Sequence, residues 1–152
     1  MRIYLAARYS RRLELCGYRD RLIAAGHDVR ARWLDGEHQI SNEGKPIGEN
    51  GEALVEGDDG GSDDRSASLR RQFAYDDLSD VEQCDTLIAF TEAPRSGFSR
   101  GGRHVELGIA IGMDKRIIVV GHRENIFCWL DEVEFVETFE VAAYLVGEMV
   151  NR

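Results

Sequence analysis

Apolar positions along this chain recur with two periods, one suited to strands and one to helices. The short apolar run Arg2–Ala6 predicts a first strand, and Leu15, Tyr18, Leu22 and Ala25, spaced by threes and fours, predict a helix after it. Gly26 ends that helix, as a C-cap glycine does. Asp28–Arg32 predicts a second strand. From Gly36 to Gly61 the chain is rich in glycine and acid and has no period, so it reads as a long loop or a locally disordered insertion. The pattern then resumes with a helix from about Ser66 to Gln83, a strand over Asp85–Thr91, a glycine- and arginine-bearing loop from Pro94 to Gly102 and a helix over Arg103–Met113. Arg116–Gly121 (RIIVVG) has the unbroken apolar run of a central parallel strand. Val133–Val136 predicts a fifth strand and Phe139–Met149 a closing amphipathic helix. Because strand and helix alternate throughout, the expected fold class is α/β: a parallel five-stranded sheet with helices on both faces, joined by right-handed crossovers. Ligands in such folds sit beyond the carboxyl ends of the strands. Those ends fall at Ala6–Ser10, Arg32–His38, Thr91–Gly102 and Gly121–Asn125.

Composition narrows the field. A chain of 152 residues fits a single domain, 1–152, interrupted by an acidic insertion at about 36–65; a domain of this size buries roughly 68–70% of its unfolded surface. No apolar stretch approaches the ~20 residues needed to span a bilayer, and the N-terminus lacks a signal-peptide pattern, so a cytoplasmic protein with no membrane partner is expected. Cys16, Cys84 and Cys128 have no metal-ligand spacing and read as reduced thiols, none catalytic. His38, His104 and His122 are scattered, and neither metal nor cofactor is expected. The net charge of −9 is concentrated between Asp35 and Arg65, where only Lys45 and Arg65 oppose the acids. The remainder is close to neutral, which permits a small anionic substrate but shows no basic face for long nucleic acid.

Candidate chemistry gathers at the strand ends. Glu106 follows Gly101–Gly102 near a helix start, where free N–H groups and the helix dipole favour an anion, so it is expected to stay ionised. It shares a stripe with the apolar Ile109, Ala110 and Met113 rather than the solvent face. Asp77 repeats this anomaly between Phe73 and Val81, whereas Asp76 and Asp80 are expected to look outward. Two carboxylates leaving apolar stripes towards one end of a sheet suit a nucleophile and an acid/base pair for glycosyl transfer. Position alone leaves plainer readings open: Glu106 as a helix-start acid, Asp77 as a cap or a partner of an arginine such as Arg8. Tyr4 in the first strand either fills the core or offers its hydroxyl to a catalytic carboxylate. Arg8 and Ser10 after the first strand, and Ser99, Arg100, Gly102 and Arg103 before the Glu106 helix, form either a phosphate or carboxylate pocket or a solvated basic loop. Trp33 either stacks a nucleobase or covers the edge of the core.

The segments IYLA, DDLSDVEQCDTLIAFT and GGRHVELGIAIGMDKRIIVVG together resemble the nucleoside 2-deoxyribosyltransferase family, which includes deoxynucleoside 5'-monophosphate N-glycosidases. The resemblance covers most of the chain outside residues 36–65. It implies a flavodoxin-like doubly wound sheet and a double displacement in which a glutamate attacks C1' of the sugar. Water or a second base then resolves the ester. Residue by residue, Glu106 resembles the nucleophile, Asp77 the acid that protonates the leaving base and Tyr4 the tyrosine that orients the nucleophile. The resemblance further implies a homo-oligomer, dimer or larger, in which a neighbouring subunit completes the pocket, and Asn125 in HREN is the candidate for that residue. Six residues before the nucleophile, free-nucleoside transferases carry an aspartate and monophosphate hydrolases a serine; here Arg100 stands there beside Ser99. An arginine pairs with phosphate, which favours a nucleoside 5'-monophosphate substrate. The expected activity is therefore N-glycosidic bond cleavage in (deoxy)nucleoside 5'-monophosphates. The alternatives are 2-deoxyribosyl transfer between free nucleosides and a non-catalytic nucleotide-binding or sensor module.

Overall fold

The computed structural model describes residues 1–36, 64–93 and 101–147, with side chains throughout except at 64–67. Most of the acidic insertion, and Ser99 and Arg100 of the loop after the third strand, lie outside the described residues. Five parallel strands, β1 (Arg2–Ala6), β2 (Asp28–Val29), β3 (Thr86–Phe90), β4 (Arg116–Val120) and β5 (Val133–Val136), pair in the order β2-β1-β3-β4-β5. The register sets Tyr4 beside Leu87 and Leu87 beside Ile117. The expected α/β fold, a flavodoxin-like doubly wound sheet, is the fold observed.

Four helices cover the two faces: α1 (Arg12–Ala24), α2 (Asp64–Gln83), α3 (Gly102–Gly112) and α4 (Phe139–Leu145). On one face Tyr18 of α1 stacks on Phe139 of α4, with ring centroids 3.9 Å apart, and both rings contact Phe90 of β3. On the other face α2 packs against α3, and both reach β1. Side chains alternate across a strand, so Tyr4 faces α2 and α3 while Ile3 and Leu5 face the opposite layer. All three are fully buried.

Two elements end several residues before the pattern predicts. β2 was expected to reach Arg32, but the chain leaves the ladder after Arg30, whose N–H donates to the Ile3 carbonyl at 3.0 Å. Asp80 is the cause. Its carboxylate accepts the Arg32 backbone N–H at 2.9 Å and the Arg32 Nε at 3.0 Å, drawing Arg32–Asp35 into a 3-10 turn. Asp76 accepts the other arm of the same guanidinium at 2.9 Å. Asp80 is thus buried rather than outward-looking, and Asp76 is turned to Arg32 rather than to solvent; the pair ties the end of β2 to α2. The closing helix, expected to run to Met149, stops at Leu145 because Gly147 adopts φ +99°, a left-handed conformation that caps helices and suits glycine.

Candidate active site

The order β2-β1-β3 puts the topological switch between β1 and β3, where doubly wound sheets place their ligands. Three of the residues read from the sequence meet beside it. Tyr4 comes from β1, Asp77 from the helix entering β3, and Glu106 from the helix leaving β3. Gly101, at φ +79°, turns the chain into α3 with a backbone that few other residues adopt readily. From that start the inward stripe of α3 runs Arg103, Leu107, Ala110, all buried, and Glu106 sits on its margin.

The Tyr4 hydroxyl donates to Glu106 Oε1 at 3.0 Å. Burial, then the negative charges of Glu106 and Asp77, push the Tyr4 phenol well above its ordinary range, so it remains a proton donor. Glu106 itself departs from expectation. Helix-start position suggested a stable anion, yet its carboxyl is pushed up to about 8, first by burial and then by the nearby charge of Asp77. The Tyr4 hydrogen bond and the charge of Arg103 oppose that rise without cancelling it. Glu106 lies a full turn inside α3, so the N-terminal N–H groups do not offset its desolvation as they would at the first positions. At neutral pH the carboxyl therefore holds its proton.

The other predicted residues are placed as follows. Arg8, just beyond β1, approaches Glu92 at 3.9 Å, and Arg11 reaches the same carboxylate at 3.5 Å. Ser10 is exposed in the 3-10 turn Tyr9–Arg11. Trp33 is 5% exposed and donates its indole N–H to the Leu5 carbonyl at 2.9 Å, so its ring covers the core edge instead of presenting an open stacking face. Gly102 opens α3. Arg103 is turned inward and grips Glu124 with two arms, at 2.6 and 3.2 Å, so its charge is engaged within the protein. Asn125 caps its own 3-10 turn, accepting the Phe127 N–H at 2.9 Å, and its amide lies 3.3 Å from the His104 ring. In this single chain its side chain therefore serves its own fold.

Glu92 and Glu124 went unnoticed in the sequence because neither lies on an apolar stripe; each is recruited by an arginine from a distant segment. A cavity of about 440 Å³ lies at the β2 edge between Arg19, Arg30, Arg32, Asp35, Asp80 and Gln83, and none of the predicted site residues lines it. Its arginines are paired with Asp35, Asp28 and Asp80, so it does not present unopposed positive charge. Among the described residues no group of three His, Cys, Asp or Glu side chains could hold a metal ion, and no helix is long and apolar enough to cross a membrane.

No protein-family model matches the chain, and no curated protein matches it either. Among solved structures, that of Clostridium botulinum CMP N-glycosidase, BcmB, is similar, with a TM-score of 0.52 and 20% sequence identity, covering 96% of this chain and 96% of that one. At that identity the likeness establishes a shared doubly wound architecture.

Proposed function

We propose that this protein cleaves the N-glycosidic bond of (deoxy)nucleoside 5'-monophosphates through a covalent glycosyl intermediate on Glu106. The observation that carries the reading is the Tyr4–Glu106 hydrogen bond at the switch point, in a buried setting where desolvation and then the nearby Asp77 raise the Glu106 carboxyl. A carboxylate pair of this kind suits a nucleophile and a general acid. Glu106 passes its proton to Asp77, and its oxygen attacks C1' as the bond from C1' to the base nitrogen breaks; that nitrogen takes the proton from Asp77. Water then attacks C1' and the ester bond to Glu106 breaks. The proton of the water returns to Asp77, and the sugar 5-phosphate leaves. Tyr4 donates to the carboxylate, keeping one oxygen hydrogen-bonded while the other reacts.

A phosphorylated substrate is supported by Arg100, which stands in the sequence just before α3, and by the CMP N-glycosidase among the fold's neighbours. No step calls on a metal or cofactor. A homo-oligomer is supported by Ile126, Phe127 and Trp129, which are 78%, 58% and 66% exposed in the turn that follows Asn125. Incubation with each common nucleoside and nucleoside monophosphate, with free base detected by chromatography, tests the function. Base released from monophosphates is expected. A new nucleoside formed on adding an acceptor base to free nucleosides would favour transfer, and tight binding with no turnover of any of them would refute the enzyme.

A further inference from the structure

Arg103 and Glu124 form the most enclosed charged contact at this end of the sheet, their side chains 4% and 12% exposed, and the glycosyl-transfer chemistry proposed above assigns neither a role. The pair joins the first turn of α3 to the segment after β4, 21 residues on. Arg103 sits three residues before Glu106, so the two side chains leave the same face of α3 one turn apart. Beyond the pair, His104 lies 3.9 Å from Glu124 and 3.3 Å from Asn125, which in turn caps the next 3-10 turn. A buried ion pair of this geometry adds little net stability over an apolar pair of the same volume. What it does provide is a fixed position and a fixed charge.

We propose that Arg103 is a positioning residue for Glu106: clamped by Glu124, it anchors the start of α3 and holds one positive charge a single helical turn from the Glu106 carboxyl. The groups around Glu106 leave Arg103 a clear part to play. β1 contributes Tyr4, which donates to the carboxyl, and α2 contributes the negative Asp77, with Asp80 bound to Arg32 behind it. β3 carries no ionisable side chain, and the one on β4, Arg116, sits at the far end of its strand on Glu134. Arg103 thus opposes the charge of Asp77, and it does so only while Glu124 keeps it in place. The inference rests on Glu106 as the centre of the site, but its test does not require turnover.

The carboxyl of Glu106 can be titrated by infrared difference spectroscopy, wild type against Glu106→Gln, in the Arg103→Met/Glu124→Met double variant. Replacing both partners leaves no orphaned charge in the interior, so the variant should fold, and thermal melting checks that it does. Of the two charges removed, that of Arg103 bears on Glu106 and that of Glu124 does not, so the Glu106 midpoint should move up by about half a pH unit or more. Arg103→Lys, which keeps the charge, should restore most of the wild-type midpoint. A midpoint in the folded double variant equal to that of wild type would overturn the proposal and leave Arg103 a merely structural residue. Where the wild type releases base, the acid limb of kcat/KM should follow the same displacement. A shifted midpoint in a protein that releases no base from any nucleotide would sink the proposed function while sparing this inference.

Discussion

Replacing Glu106 by Gln should make the protein more stable at neutral pH, and the gain should depend on pH in a specified way. Glu106 ionises at about 8 in the fold against 4.5 for an ordinary glutamate. Below the ordinary value both folded and unfolded states are protonated, and the side chain contributes no pH dependence. Between the two values the unfolded chain gives up a proton that the folded protein keeps, so stability falls as pH rises, and the fall ends once the folded carboxyl ionises too. Each pH unit in that window is worth ~1.36 kcal/mol, and pH 7 lies ~2.5 units above its lower edge, giving a ceiling of ~3 kcal/mol. Rearrangement and water entry around the carboxyl absorb part of this, so about 1–2 kcal/mol is expected at pH 7. Gln keeps the shape and still accepts the Tyr4 hydroxyl. For a chain of this length that gain raises Tm by roughly 2–8 °C. Paired melts of wild type and Glu106→Gln every half unit from pH 4 to 9 measure it. The variant's advantage should be near zero at the acid end, grow through the window and level off above it. Parallel curves across the whole range would show that Glu106 is not held protonated and would remove the physical basis of the site.

The remaining expectations follow from the same contacts. Tyr4→Phe removes the donor to Glu106 and should move the acid limb of kcat/KM for base release up by about one pH unit, from a hydrogen bond to a charged group worth ~1.5–3 kcal/mol. Asp77→Asn should move that limb the other way, since the like charge is gone, while lowering the maximum rate by roughly 10²–10⁴ through loss of the proton donor; shifts in the same direction for both variants would contradict the geometry. Arg32→Met leaves Asp80, 3% exposed, without its guanidinium. It should cost on the order of 2–4 kcal/mol in urea unfolding, largely recovered in Arg32→Met/Asp80→Leu, and a loss under 0.5 kcal/mol would deny the clasp its role. Trp129→Glu should shift the sedimentation coefficient from that of an assembly to that of a monomer, whereas a wild type that already sediments as a monomer at assay concentrations would refute the oligomer.

Strands and helices could be read from the chain because burial dictates them directly. Leu87, Ile88, Ile117 and Ile118 are apolar on both faces of central strands, and nothing else in the sequence competes with that reading. The meeting of Tyr4, Asp77 and Glu106 was legible for the opposite reason: carboxylates stand where the periodicity calls for apolar side chains, on stripes that the fold turns towards β1. Pairings made across the fold were not legible. Asp80 meets Arg32 from 48 residues away, and Glu124 meets Arg103 from 21, with no local signal that either acid is destined for the interior. Those pairings explain why β2 is short and why Asp80 is buried. The protonation of Glu106 was hidden too, because a helix start and a buried wall pull a carboxylate in opposite directions, and only depth decides between them. A likeness at 20% identity carries the architecture and leaves the chemistry to these side chains.

The covalent role of Glu106 can be met head-on by acid-quenching the protein during turnover of a nucleoside monophosphate and weighing its proteolytic peptides. The peptide holding Glu106 should gain the mass of a pentose 5-phosphate less one water, and Glu106→Ala should show neither the adduct nor any free base. Release of base by Glu106→Ala at the wild-type rate, with the peptide unmodified in both proteins, would contradict the mechanism.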